Sequence, residues 1–154
     1  MPAQQSDSNH NIIPETGMCD SCREARETGA SPLPYTEQVM DHFMNPRNIG
    51  TLENPDGMGT CGDPSCGDCL VMHLQICDNT ITAVRYLVLG CAAAIASSSI
   101  TSVLATGKTL EAAAGITDDV IEAALGGLPE AKRHCSLLGA RALQAAIADY
   151  RKTR

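Results

Sequence analysis

The chain has 154 residues, 44% of them hydrophobic, enough for one core that buries roughly 68–70% of the surface its unfolded form exposes. Eighteen Asp and Glu against eleven Lys and Arg leave a net charge of -7, with no basic stripe and 3% aromatic residues for stacking, so nucleic acid is a poor partner. No run of about 18 uncharged apolar residues exists, and the first residues carry neither a basic nor an apolar leader segment, so the expectation is a cytoplasmic protein with no membrane span.

Residues 1–34 are rich in Ser, Asn, Pro and Gln and end in Ser31-Pro32-Leu33-Pro34, where each proline disfavours helix at the residue before it. They are expected to form a mobile N-terminal extension, and residues 35–154 the folded domain. Thr36 reads as the N-cap of a short helix with Val39, Met40 and Phe43 on one face, stopped by Pro46. Residues 48–68 hold Gly50, Gly57, Gly59, Gly62 and Gly67 with Pro55 and Pro64, a turn-rich stretch with room for at most one strand. Residues 70–77 alternate, with Leu70, Met72, Leu74 and Ile76 on one side and Val71, His73, Gln75 and Cys77 on the other, which predicts a half-buried strand. Asp78-Asn79 supplies a tight turn, and residues 80–89 return as an antiparallel partner carrying Ile81, Val84, Tyr86 and Val88.

The period then becomes helical. Residues 93–105 are small and helix-compatible, with Gly107 as the stop. Thr109 opens a short helix to Ala114, and Thr117 with Asp118 and Asp119 caps another through Leu125, ended by Gly126-Gly127. Residues 136–151 form the last helix, its apolar face made by Leu137, Ala140, Leu143, Ala146, Ile147 and Tyr150. Strands first and helices after predict an α+β fold.

Eight cysteines (Cys19, Cys22, Cys61, Cys66, Cys69, Cys77, Cys91 and Cys135) in such a chain point to metal binding or thiol chemistry, not to a disulfide framework. Cys66-Gly67-Asp68 precedes the first clear strand, Cys91 joins the second strand to a helix, and His134-Cys135 stands at the entry of the last helix. Where strand and helix ends converge, three thiolates, a carboxylate and an imidazole can hold a tetrahedral metal. A carboxylate is a harder donor than a thiolate and a weaker partner for iron in a sulfide-rich cluster, so Asp68 or His134 in the fourth position suits a cluster that leaves. Cys91 and Cys135 also precede helices, where the N-terminal dipole raises the thiolate fraction, so either could attack or receive sulfur. Spacing alone leaves a structural zinc site open. Cys77 reads as a small buried hydrophobe and His73 as a sheet-face residue.

From about Tyr35 onward the chain resembles the U-type iron–sulfur cluster assembly scaffolds, the IscU and NifU N-domain family. The resemblance is carried by residues 41–50, reading Asp41-His42-Phe43-Met44-Asn45-Pro46-Arg47-Asn48-Ile49-Gly50, by Cys66-Gly67-Asp68, by Gly90-Cys91 with Ala94-Ile95-Ala96-Ser97-Ser98-Ser99, and by His134-Cys135-Ser136. It implies a three-stranded antiparallel sheet packed by about five helices, with the metal site at one exposed end. It implies a non-enzymatic scaffold on which a [2Fe–2S] cluster is built from iron and from sulfur supplied by a pyridoxal-phosphate cysteine desulfurase, then passed to apo-proteins. Three thiolates per chain also permit a [4Fe–4S] cluster shared between the subunits of a homodimer, and Zn²⁺ suits the same donors in the isolated protein.

Carried over by position, Cys66, Cys91 and Cys135 are the implied thiolate ligands and Asp68 and His134 the exchangeable donors. Cys135 is the implied persulfide acceptor, and Lys132 the neighbouring charge. A ferredoxin or a frataxin-like protein is a further implied partner. The family's chaperone-recognition segment reads Leu-Pro-Pro-Val-Lys, whereas this chain has Leu128-Pro129-Glu130-Ala131-Lys132, which argues against docking of a dedicated Hsp70-type chaperone. Cys61 and Cys69 lie outside the carried-over set and read as alternative ligands, persulfide relays or spare thiols, while Cys19-Asp20-Ser21-Cys22 offers only half a zinc site. The alternative is a SufU-type zinc-dependent persulfide sulfurtransferase. That relative carries an insertion before the last motif and lacks the His before the final Cys, so His134 and the short segment from Cys91 to Cys135 favour the scaffold.

Overall fold

A computed structural model describes residues 35–63 and 67–153, so the expectations for residues 1–34, with Cys19 and Cys22, and for Cys66 lie outside the described residues. The elements run α1 (Glu37–Met44), β1 (Gly57–Asp63), β2 (Asp68–Cys77), β3 (Thr80–Leu89), α2 (Ala92–Ala105), α3 (Leu110–Ala114), α4 (Asp118–Ala124), a 3₁₀ turn (Glu130–Lys132) and α5 (His134–Lys152). The strands pair antiparallel in the order β1-β2-β3. The α+β expectation therefore holds, the described residues forming three strands and five α-helices. No helix among the described residues is long and apolar enough to cross a membrane.

The β2–β3 connection is the tight turn that Asp78-Asn79 predicts. Both residues take positive φ, +49° and +60°, the pattern of a two-residue type I′ hairpin, which Asn and Asp tolerate better than most side chains. One face of β2 is buried through Leu70, Met72, Leu74 and Ile76. On β3 the buried residues are Ile81, Val84 and Tyr86, a spacing that breaks strict alternation. A register shift between Gln75 and Ile76 explains it: Ile76 pairs with Ile81 and Gln75 with Ala83, so Thr82 is an extra residue and Ile81 stays on the core face. Cys77 departs from its expectation. It ends β2 at the hairpin and is exposed, because the odd-numbered side of that strand faces away from the core. His73, on that side as expected, accepts the Leu52 N–H at Nδ1.

The three threonine caps form as predicted: Thr36, Thr109 and Thr117 accept the N–H groups of Val39, Ala112 and Val120. The buried face of α1 differs, being made by Val39 and His42, with His42 Nδ1 2.7 Å from Ser99 Oγ. A polar residue is tolerated there because α2 offers it a hydroxyl. Helix α2 itself is buried over most of its circumference, serines included. Ser98, Thr101 and Ser102 donate to the carbonyls of Ala94, Ser97 and Ser99 within the helix, and Ser102 Oγ also accepts from Asn48 Nδ2 at 3.0 Å.

Helix α5 begins at His134, two residues earlier than predicted, and its buried arc is wider, with Leu138 (4% exposed) and Ala142 inside where Leu137 was expected. The cause is packing on two sides. A Cβ on Gly59 would lie 2.3 Å from Ala142 O and 2.4 Å from Ala146 N, so α5 rests directly on the backbone of β1. A Cβ on Gly139 would lie 2.5 Å from Thr101 Oγ1, so α5 also crosses α2 at close range. With one Phe and no Trp in the chain, this close approach of small residues takes the place of bulky side chains in filling the core.

Candidate metal centre

The first residue of β2, the end of β3 and the first turns of α2 and α5 meet at one end of the sheet. Asp68 opens β2 and is buried. Gly90 lies over it: a Cβ there would stand 2.6 Å from Asp68 Oδ1 and 2.8 Å from the Ala94 Cβ, so only glycine leaves the carboxylate its place. Cys91 is the N-cap of α2, its carbonyl receiving the Ile95 N–H at 3.0 Å. Cys135 is the second residue of α5, inside the helix it was expected to precede, and is 0% exposed.

These side chains converge on the Cys135 sulfur. Cys91 Sγ lies 3.6 Å from it, Asp68 Oδ2 3.7 Å and His134 Nε2 3.5 Å. One donor atom from each of Asp68, His134 and Cys135 falls within 4.8 Å of the other two. Cys66 precedes Asp68 by two residues along the chain and is outside the described residues. Of the five residues expected as ligands, four are thus brought together.

The electrostatics separate the two sulfurs. The Cys91 thiol is lowered to about 6, chiefly because the Cys135 S–H donates to its sulfur. The Ala94 N–H at the start of α2 and the Lys132 charge add to this, against burial and the Asp68 charge. The Cys135 thiol is pushed up, because it gives that hydrogen bond, is buried and faces the charges of Cys91 and Asp68. The pair therefore holds one proton and one negative charge near neutrality. The Cys91 thiol is lowered, but chiefly by the Cys135 S–H and less by the start of α2, while the Cys135 thiol is raised by its neighbours.

Lys132 ends the 3₁₀ turn and is the nearby cation the sequence suggested, acting on both sulfurs. Arg133 is tied to Glu122 of α4 at 3.0 Å, which anchors the segment that delivers His134 and Cys135. Cys69 follows Asp68 on β2, and alternation sends its side chain to the opposite face of the sheet, away from the Cys135 sulfur. Cys61 pairs across β1 and β2 with Leu70 and packs against the core. Gly90 was missed by sequence reasoning, although Gly-Cys before a helix was visible, because its reason is a carboxylate 22 residues earlier in the chain. Chemically the group offers soft sulfur, harder oxygen and borderline nitrogen donors within one coordination radius, a set that fits zinc or iron.

Comparison with known proteins adds to this geometry. The model of the NifU-like N terminal domain family matches residues 34–154. The iron-sulfur cluster assembly scaffold protein IscU 1 of Archaeoglobus fulgidus is 51% identical over 116 residues, 75% of this chain and 76% of that protein. IscU of Escherichia coli K12 is 41% identical over 126 residues, 79% of this chain and 98% of the relative. Among solved structures, the N-terminal NifU-like protein of Brucella abortus superposes with a TM-score of 0.63 at 23% identity, covering 77% of this chain and 95% of that one. A SUF-system scaffold protein of Fervidobacterium islandicum gives a TM-score of 0.61 at 22% identity over 73% and 96% of the two chains. These two structural likenesses speak to the fold.

Proposed function

Because the chain belongs to the NifU-like N-terminal domain family, we propose that it is a scaffold on which an iron–sulfur cluster is assembled and from which the cluster passes to apo-proteins. The observation that carries this reading is the convergence of the Cys91 sulfur, the Asp68 oxygen and the His134 nitrogen within 3.7 Å of the Cys135 sulfur at one end of the sheet. The cluster is the product and cargo, and the protein's part is to supply donors that hold it and let it go. Cys91 and Cys135, with Cys66 two residues before Asp68 in the chain, are assigned as the thiolate ligands. Asp68, the weakest donor toward iron in a sulfide-rich cluster, is assigned as the ligand that yields first. Asp68→Ala is expected to give a longer-lived cluster, followed by the decay of its visible absorption under a chelator; faster decay than wild type would refute the assignment.

Sulfur is assigned to enter as a persulfide from a cysteine desulfurase and to reside on Cys135. Cys135→Ser should abolish persulfide loading, and loading that persists would place the role on Cys91, Cys69 or Cys61. The cluster is taken as [2Fe–2S], the nuclearity that one chain's donors suffice to hold.

The same donors suit Zn²⁺, which keeps a zinc-dependent persulfide sulfurtransferase as the second reading. His134, with Nε2 3.5 Å from Cys135 Sγ, favours the scaffold. The deciding measurement is iron, acid-labile sulfide and zinc per chain, after anaerobic purification from cells that co-express a desulfurase. Near-equal iron and sulfide that an apo-ferredoxin can withdraw is the expected result. Stoichiometric zinc without sulfide would overturn the scaffold reading.

A further inference from the structure

The two sulfurs of the pair are close enough to react with each other as well as to ligate a metal. Here Cys91 Sγ and Cys135 Sγ are 3.6 Å apart in direct contact, one the N-cap of α2 and the other in the first turn of α5. Among the described residues, no other cysteine is placed on that line of approach. Cys69 leaves the sheet on the far face, Cys61 packs against the core one strand away, and Cys77 is at the opposite end of β2. The separation is about 1.6 Å longer than a disulfide bond. Side-chain rotation within two helix first turns can supply that movement.

We propose that Cys91 is the internal reductant for sulfur carried on Cys135, attacking the inner sulfur of a Cys135 persulfide to release hydrosulfide and leave a Cys91–Cys135 disulfide. The inference rests on the reading above that this pair accepts sulfur. The step balances within the molecule. The Cys91 thiolate forms a bond to Cys135 Sγ, the bond from Sγ to the outer sulfur breaks, and that sulfur leaves as HS⁻ with both electrons. The outer sulfur is reduced by two electrons and the two cysteine sulfurs are together oxidised by two. The same disulfide and the same hydrosulfide result if the persulfide first forms on Cys91 and Cys135 attacks. A dithiol reductant then returns the disulfide to two thiols for another turn. Reduced sulfur is thereby produced without an electron-transfer partner at the moment of release.

The test uses the full-length, metal-free chain, loaded with a low-molecular-mass persulfide in the absence of added thiol. Three quantities are followed: trapped sulfide, intact mass and the disulfide-linked peptides after blocking free thiols. Wild type is expected to release one sulfide for each Cys91–Cys135 disulfide formed. Cys91→Ser is expected to keep one added sulfur on Cys135 for on the order of tenfold longer or more, since an intramolecular attack is lost. Circular dichroism on the variant checks that it is folded, and the wild-type disulfide map stands independently of any variant. Equal sulfur lifetimes in wild type and Cys91→Ser, with persulfide plainly loaded, would overturn the inference while leaving sulfur acceptance intact. So would a disulfide mapped to another pair or between chains. No added sulfur on Cys91→Ser, together with neither sulfide nor disulfide from wild type, would overturn both the acceptor reading and the inference built on it.

Discussion

Gly90→Ala tests the way the site places its carboxylate. An added methyl would stand 2.6 Å from Asp68 Oδ1 and 2.9 Å from its Cγ, 0.8 Å and 0.5 Å inside the 3.4 Å at which ordinary contact begins. The Ala94 Cβ at 2.8 Å closes the other side, and Ala94 is wholly buried in α2. The carboxyl group is the part that can turn, so the strain should be relieved by swinging Asp68 away from the Cys135 sulfur, with a stability cost of about 1–3 kcal/mol. Loss of a positioned donor should lower Co²⁺ or Zn²⁺ affinity by about 10–100-fold, the range typical when a group that orients a ligand is removed. The assay is a double-mutant cycle with Asp68→Ala, in which affinity is read from competitive metal titration and stability from urea melts. In the Asp68→Ala background both carboxylate contacts are gone, so Gly90→Ala should cost little further affinity and less stability. Equal losses in both backgrounds would refute the reasoning, because Gly90 would then act through Ala94 and the course of α2.

Gly59→Ala should destabilise by about 3 kcal/mol or more, since its Cβ meets backbone atoms of α5 that cannot rotate away; Gly62→Ala, whose nearest contact is Asp68 O at 3.4 Å, is the control and should stay within about 0.5 kcal/mol in a thermal melt. In metal-free protein, alkylation of Cys91 followed by peptide mass spectrometry should show a midpoint near pH 6. Cys135→Ala should move that midpoint up, because the hydrogen bond from Cys135 is the chief cause of the shift. Burial and the Arg47 charge hold the His42 imidazole below its ordinary value of about 6.5, with the Asp41 carboxylate opposing. The unfolded chain therefore takes up the proton first, and the stability His42 contributes is present above pH 6.5 and lost as pH falls below it. The difference in urea-melt stability between wild type and His42→Gln should shrink with acidification, and a difference independent of pH would show that the imidazole does not titrate against folding.

Much of the local architecture follows from the sequence by itself, because it depends on neighbours along the chain. The caps at Thr36, Thr109 and Thr117, the Asp78-Asn79 turn and the alternating face of Leu70, Met72, Leu74 and Ile76 are each set by residues within a few positions of one another. The donor types at Asp68, Cys91, His134 and Cys135 were legible for a related reason: each sits at an element end, and element ends are marked by turn and capping residues. What only the tertiary structure decided concerns pairs far apart in sequence. Leu138 replaces Leu137 inside because α5 is wedged between β1 and α2, and a single helical stripe cannot report two packing surfaces. Ile81 joins Val84 on the core face through a register shift set by strand pairing. The division of one proton between Cys91 and Cys135, 44 residues apart, depends on a 3.6 Å contact that periodicity cannot specify. Distances of that kind are set only when the helices close on the sheet.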